Sequence, residues 1–203
     1  MIKIALPKGR LGLKVYAKFE EAGYKFDGIR DETRRLVFEN EAAGMICFMV
    51  KPYDVPVYVE RGTADIGACG KDILMERKPD IYELADLETG KCVMAVAGKK
   101  DFADDTSRRL KVATEFPSIT KNYYAQKGRD IDIITLRGSL EIAPMLGLSD
   151  VIVDIVETGT TLRENNLAVI ETICPLSARL VANKSSYQFK RDEITGIMRR
   201  ITG

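Results

Sequence analysis

Apolar positions along the chain fall into two rhythms. Short aliphatic and β-branched runs at Ile2–Leu6, Leu36–Glu39, Met45–Val50 and Ala64–Ala68 have the composition of strands. Between them the apolar residues spread out to helical spacing. Val15, Phe19 and Ala22 share one face of a segment that Gly23 stops, which predicts a helix over Leu11–Ala22. Asp54 is a candidate cap for a second helix, with Pro56 in its first turn, running to Arg61 and closed by Gly62. Gly70-Lys71-Asp72 then leads into a third helix at Ile73–Arg77. This repeated alternation is the signature of a mostly parallel sheet covered by helices.

The texture changes near Ile81. Tyr82–Glu88 and Lys91–Ala97 are adjacent strand-like runs, the second closing in the charged turn Gly98–Asp105. A new β–α alternation follows: a strand at Leu110–Ala113, a helix from Pro117 to Gly128, a strand at Ile131–Leu136, a helix at Ser139–Leu146 and a strand at Val151–Val156. Leu167–Ile173 and Arg179–Ala182 are again strand-like. Phe189, Ile194, Ile197 and Ile201 are spaced for one face of a closing helix. Two α/β runs without a Ser- or Pro-rich linker predict two lobes sharing hinge strands. Residues 1–89 with 184–203 form lobe I and residues 90–183 form lobe II, with a ligand cleft expected between them.

Composition narrows the chemistry. Over 203 residues, Lys plus Arg is 31 against Asp plus Glu 30, so no net field draws the chain to nucleic acid or anionic lipid. Met45–Val50, the longest plainly apolar run, is too short to span a bilayer. The first residues show no secretory pattern, and Cys47, Cys69, Cys92 and Cys174 form no CxxC pair. A cytoplasmic protein with reduced thiols is expected. Histidine is absent altogether, which excludes Ser–His and Cys–His nucleophilic sites and every His-ligated metal centre. Carboxylates, cations, hydroxyls and backbone dipoles remain, a set suited to stabilising charge.

Several cations fall where predicted strands end. Lys8 and Arg10 flank Gly9 after the first strand, Lys51 follows Met45–Val50, and Lys71 follows Ala64–Ala68. Arg30, Arg34 and Arg35 precede the second strand. In open α/β sheets the carboxyl ends of parallel strands line the ligand crevice. Any one of these side chains reads first as solvated surface; four at corresponding ends repel one another unless an anion joins them.

Val151–Asn165 combines a buried-type strand with the turn Thr158-Gly159-Thr160-Thr161 and two carboxylates, Asp154 and Glu157. Taken alone, it reads first as ordinary turn chemistry, with Thr161-x-x-Glu164 as a capping box. The second reading is a phosphate site, since such a turn gathers backbone N–H groups and hydroxyls. The carboxylates would then hold ribose hydroxyls or a magnesium ion carried by a pyrophosphate. Arg137-Gly138-Ser139 is a further turn of anion-binding character, and Glu141 reads as a charge on a helix N-terminus.

Longer motifs carry a resemblance. Leu6-Pro7-Lys8-Gly9-Arg10, Lys51-Pro52-Tyr53-Asp54-Val55-Pro56, and Gly62-Thr63-Ala64-Asp65-Ile66-Gly67 with Gly70-Lys71-Asp72 resemble the ATP phosphoribosyltransferase family. The stretch from Glu141 through Asp150 into Val153–Leu162 is similar to that family's signature. The likeness runs along essentially the whole chain and is to the short form of the family. It implies a two-lobed fold like the type II periplasmic binding proteins. It also implies condensation of ATP with 5-phosphoribosyl 1-pyrophosphate at adenine N1, with Mg²⁺, in histidine biosynthesis.

By the same resemblance, Asp154 and Glu157 hold the ribose hydroxyls, and Thr158, Gly159, Thr160 and Thr161 grip the 5-phosphate. Lys8, Arg10 and Lys51 are the implied catalytic cations facing pyrophosphate and the ATP phosphates. Gly9 lies with Lys8 and Arg10 at the ATP, as do Gly70, Lys71 and Asp72. Many family members carry Arg where Lys51 stands, and Lys lacks the bidentate fork. The short form implies a histidyl-tRNA-synthetase-like regulatory subunit in a hetero-octamer, and self-association as a dimer. Two rival readings stay open on the residues: a non-catalytic two-lobed binding module, and a phosphoribosyltransferase with another acceptor base.

Overall fold

A computed structural model describes residues 1–31 and 35–203. Along the chain, β1 (Ile2–Pro7), α1 (Arg10–Glu21), β2 (Val37–Asn40) and β3 (Met45–Val50) lead through a 3-10 turn at Pro52–Asp54 to α2 (Val55–Glu60). Next come β4 (Ile66–Gly70), α3 (Lys71–Arg77), β5 (Tyr82–Asp86), β6 (Cys92–Lys99), β7 (Leu110–Thr114), α4 (Pro117–Gln126) and β8 (Ile131–Thr135). The chain closes with α5 (Ile142–Met145), β9 (Val151–Val156), α6 (Thr160–Glu164), β10 (Leu167–Leu176), β11 (Ala178–Ala182), α7 (Lys184–Phe189) and α8 (Arg191–Thr202).

These elements make two units, each with its own sheet. The first comprises Met1–Leu74, Lys78–Gly90 and Ser177–Gly203, around a sheet of order β2-β3-β1-β4-β11-β5. Strand β1 runs parallel to β3 and to β4, while β11 is antiparallel to β4 and β5. Residues 178–182, assigned to lobe II from the sequence, are therefore a strand of the first sheet. Ile2, Ile4 and Leu6 of β1 and Leu180 and Ala182 of β11 pack with Val15, Phe19, Ile194 and Ile197 from α1 and α8. Ala5 and Val181, one position out of step, pack with Val55, Val59 and Ile73 from α2 and α3. Period-2 alternation buries both faces, and each large side chain removed from water contributes about 1.5–3 kcal/mol.

The second unit comprises Met75–Arg77 and Lys91–Leu176, with sheet order β10-β6-β9-β7-β8. Strands β8 and β9 both run parallel to β7, and β6 is antiparallel to β9 and β10. The Glu76 carboxylate accepts backbone N–H bonds from Ser118 and Ile119 at 2.9 and 3.0 Å, satisfying two open donors at the start of α4. No helix among the described residues is long and apolar enough to cross a membrane.

The predicted elements are present, with shifts that have local causes. The expected helix over Ser139–Leu146 shrinks to α5, because Gly138 and Ser139 take left-handed φ values of 83° and 50°. The closing helix expected from Phe189 is two helices. Asn183 caps α7 by accepting from Ser186 N at 2.9 Å, and the chain breaks at Lys190, whose ammonium reaches the Asp65 carboxylate at 2.9 Å. Phe189 is accordingly 83% exposed, outside the apolar face formed by Ile194, Ile197 and Ile201. Asp54 lies in the 3-10 turn and makes no side-chain cap to α2.

Asp65 itself is buried. Burial alone would raise its pKa, but bonds from Lys3 N, Ser186 and Lys190 outweigh that and hold it below the usual carboxylate range. A tighter constraint is Gly12, where α1 folds back on the end of β1. A Cβ at this position would lie 1.7 Å from the Pro7 carbonyl oxygen. Gly12→Ala should cost roughly 1–3 kcal/mol of stability by overpacking. Urea unfolding measures it, and an unchanged midpoint would refute the close approach.

Candidate functional site

Parallel pairing decides where the expected residues go. In the first unit β1 and β3 pair with Pro7 opposite Val50, and Lys8 N donates to Val50 O at 2.7 Å. Lys8 and Lys51 therefore leave neighbouring strands at one level, and Lys71 opens α3 directly from parallel β4. Gly9 carries φ 90° at the N-terminus of α1, a conformation that favours glycine, and it sets Arg10 as the first helical residue. Lys8, Arg10 and Lys51 are exposed, and among the described residues none of them has an ion-pair partner.

The other cations are committed elsewhere. Lys71 pairs with Glu83 at 2.6 Å, and Arg179 reaches both Glu83 and Asp86. Arg30 pairs with Glu20 and lies over the Tyr16 ring; Arg35 Nε donates to Val37 O. Arg34 lies outside the described residues. The Asp72 carboxylate curls over Gly70, where a Cβ would lie 2.1 Å from its Oδ1. Among the described cations of this set, Lys8, Arg10 and Lys51 therefore carry uncompensated charge to one end of one sheet.

In the second unit the strands β7, β8 and β9 present their carboxyl ends together. Their exits are Glu115-Phe116, Arg137-Gly138-Ser139 and Glu157-Thr158-Gly159. Thr114 pins the first of these: its buried hydroxyl donates to Val153 O at 2.8 Å and accepts from Phe116 N at 2.9 Å. The third is anchored by Leu162, buried with Ala97, Leu140, Ala143, Ile152 and Leu167. Gly159, at φ 68°, turns the chain into α6.

No side chain caps α6, so the expected Thr161–Glu164 capping box does not form. The turn is held differently. Thr160 N donates to Thr158 Oγ1 at 3.4 Å, and the two hydroxyls are 3.1 Å apart. Arg163 Nη1 donates to Thr158 O and its Nη2 to Thr160 Oγ1, both at 2.9 Å. Thr158, Thr160 and Thr161 are exposed, with Glu157 exposed beside them. Arg163 carries no motif signal; its place four residues past Gly159 was the one clue, since that spacing returns a helical side chain to the start of its own turn.

Asp154 sits half-buried near the end of β9. Burial pushes its carboxyl up to about 6; the Ile155 N–H bond opposes this, and the charges of Glu141 and Glu115 add to it. Glu115 thus joins the site unheralded, its residue type being ordinary at a strand end. Glu141 interacts with Asp154 by charge and makes no cap bond to the four-residue α5. Among the described residues no group of three or more Asp, Glu or Cys side chains is placed to hold a metal ion.

Two covered sheets whose parallel strands end in glycine- and hydroxyl-bearing turns define an α/β protein of the type II periplasmic-binding-protein kind. The family model "HisG: ATP phosphoribosyltransferase" matches residues 51–203. The ATP phosphoribosyltransferase of Brachyspira hyodysenteriae is 54% identical over 202 residues, covering 99% of this chain and 98% of that protein. That of Clostridioides difficile is 49% identical over 199 residues, covering 98% and 95%. The structure of the ATP phosphoribosyl transferase (HisG:HisZ) complex from Thermotoga maritima superposes with a TM-score of 0.85 at 38% identity, covering 99% of this chain and 96% of that one. The chain belongs to the ATP phosphoribosyltransferase family, pentosyltransferases that open histidine biosynthesis.

The raised Asp154 pKa fixes a pH signature. The folded state holds this proton more tightly than the unfolded chain, so stability falls as pH rises from about 4 to about 6 and stays lower above. Asp154→Asn should remove that fall and stabilise the protein at pH 7 by about 1–2 kcal/mol, allowing for partial exposure. Denaturant unfolding across about pH 4–7 tests this; parallel profiles for parent and variant would contradict it.

Proposed function

We propose that this chain transfers the phosphoribosyl group of 5-phosphoribosyl 1-pyrophosphate to N1 of the adenine of ATP, releasing pyrophosphate. Membership of the family along nearly its whole length carries this reading. The residues add a division of labour. Asp154 and Glu157 take the ribose hydroxyls, and Thr158, Gly159, Thr160 and Thr161 take the 5-phosphate. Lys8, Arg10 and Lys51 meet the pyrophosphate and the ATP phosphates. Gly9 and Gly70 allow close backbone approach beside ATP, with Lys71 and Asp72 adjacent.

As the bond to pyrophosphate breaks, negative charge grows on the leaving group and positive charge on the ribose ring. Uncompensated cations therefore help the transition state more than the ground state. Mg²⁺ borne by the substrate's phosphates would supply further charge neutralisation. Adenine N1 is a lone-pair nucleophile, so no strong general base is needed, and the lack of histidine is no obstacle. Lys51 supplies its charge as a point, without an arginine's fork.

Because the Thermotoga maritima relative is a HisG:HisZ complex, we expect this chain also to work with a regulatory subunit, as a hetero-octamer containing dimers of itself. A cytoplasmic setting fits this biosynthetic role, and its near-neutral charge gives no reason to invoke nucleic acid or membrane.

The assay combines ATP, phosphoribosyl pyrophosphate and Mg²⁺ with pyrophosphatase, with and without the partner, and follows the product's near-ultraviolet absorbance. Binding without turnover under both conditions would favour a receptor; turnover with a free nucleobase instead of ATP would favour another transferase. Lys51→Ala should lower kcat about 10²-fold, comparable to losing one preorganised charge donor, with a smaller loss of sugar-phosphate affinity. Equal losses would reduce Lys51 to a binding group. Asp154→Asn with Glu157→Gln should weaken calorimetric binding of phosphoribosyl pyrophosphate without lowering stability; unchanged affinity would remove both carboxylates from the site.

A further inference from the structure

Arg163 stands out because its two bonds close off the acceptors of a turn read as a phosphate site. Thr158 O is taken by Nη1 and Thr160 Oγ1 by Nη2, each at 2.9 Å. The guanidinium lies across Gly159: a Cβ there would be 3.3 Å from Nη1. The fork thus joins the first and third residues of the turn over a glycine that leaves room for it.

The hydroxyl arithmetic gives this bridge a chemical consequence. A threonine oxygen has two lone pairs and one proton. Thr160 Oγ1 accepts from Arg163, which can only donate, and from the Thr158 hydroxyl at 3.1 Å. Thr158 Oγ1 in turn accepts from Thr160 N. Both lone pairs of Thr160 Oγ1 are then occupied, and its proton is left to point away from the turn. With the Thr158 carbonyl also engaged, the bridged turn presents fewer acceptors than an unbridged one would. An anion with only acceptor oxygens then meets two fewer opposing acceptors, with one lone pair of Thr158 Oγ1 left open.

We propose that Arg163 is a positioning residue for the phosphoribosyl substrate, fixing the Thr158–Thr161 turn for the 5-phosphate by engaging the Thr158 carbonyl and the Thr160 hydroxyl oxygen, so that the Thr160 O–H is left to donate. This rests on the reading of that turn given under Proposed function. A lysine keeps the charge but cannot span two acceptors as a planar fork. Positioning and simple attraction are therefore separable.

The test measures binding of ribose 5-phosphate and of Mg²⁺–phosphoribosyl pyrophosphate by calorimetry, and steady-state kinetics with the regulatory partner present. The variants are Arg163→Ala, Arg163→Lys and, within the turn, Thr161→Ala. Arg163→Ala should raise KM for phosphoribosyl pyrophosphate about tenfold, the scale of one lost charge-assisted hydrogen bond, with kcat nearly unchanged and KM for ATP unmoved. The loss should persist at about 0.5 M salt, where screening removes long-range attraction, and Arg163→Lys should not restore affinity.

Full rescue by lysine, or a loss that vanishes in high salt, would show that charge alone matters and overturn the proposal. Weakened binding in Thr161→Ala beside normal binding in both Arg163 variants would also overturn it, while leaving the turn as the phosphate site. Normal binding in all three variants would remove the turn from the site, and the proposal with it. Arg163 is exposed, and matching unfolding midpoints for the variants exclude misfolding as the cause.

Discussion

Parallel strand pairing is the constraint on which the rest depends. A parallel neighbour is reached only by a crossover, so every parallel strand must release its chain at the same edge of its sheet. In the first unit this brings the exits of β1, β3 and β4 to one edge, and in the second those of β7, β8 and β9. The exits then need residues that tolerate tight turns and leave backbone donors open. Gly9, Gly138 and Gly159 meet the conformational demand with φ values from 68° to 90°. The chemistry sits at these edges because topology leaves it no better place.

The two edges are charged in opposite ways. Lys8, Arg10 and Lys51 hold positive charge without ion-pair partners among the described residues, whereas Lys71 and Arg179 are answered by Glu83 and Asp86. In the second unit Asp154, Glu115 and Glu141 crowd negative charge near one strand end, and a few residues on Arg163 bridges the Thr158–Thr160 turn. Unanswered like charges cost free energy in the empty protein. A bound ligand that answers them recovers that cost, so such places suit ligands of mixed charge better than they suit packing.

Much of this was legible in the sequence because the signals were local. Alternating apolar runs marked nearly every strand, and Lys8, Lys51 and the Thr158–Thr161 turn fell at strand ends that β1, β3 and β9 indeed provide. What escaped depended on distance in the chain or on geometry no pattern records. Gly12 looked like an ordinary helical residue, yet its missing Cβ admits the Pro7 carbonyl. Lys71 counted as one of four like cations until Glu83, twelve residues on, turned out to face it. Phe189 had the right spacing for the last helix, but the break at Lys190 set it on another element. The capping box matched its pattern while Arg163, which matched none, held the turn.

Asp154 shows how these levels join. Its place on β9 buries it, and burial and two neighbouring carboxylates raise its pKa to about 6, so its charged form, dominant at neutral pH, is held at a cost. A carboxylate in that state binds cationic or hydroxyl-bearing partners more readily than one already well solvated, because part of its desolvation has been met by the fold. In the role proposed for Asp154, ribose hydroxyls would stabilise the charged form and draw the pKa down. The ring charge that develops as pyrophosphate departs would act in the same direction and more strongly. A protein without histidine can thus run a charge-separating transfer by holding ordinary groups slightly out of their preferred state. For Asp154, burial on β9 and the carboxylates of Glu141 and Glu115 are what hold it there.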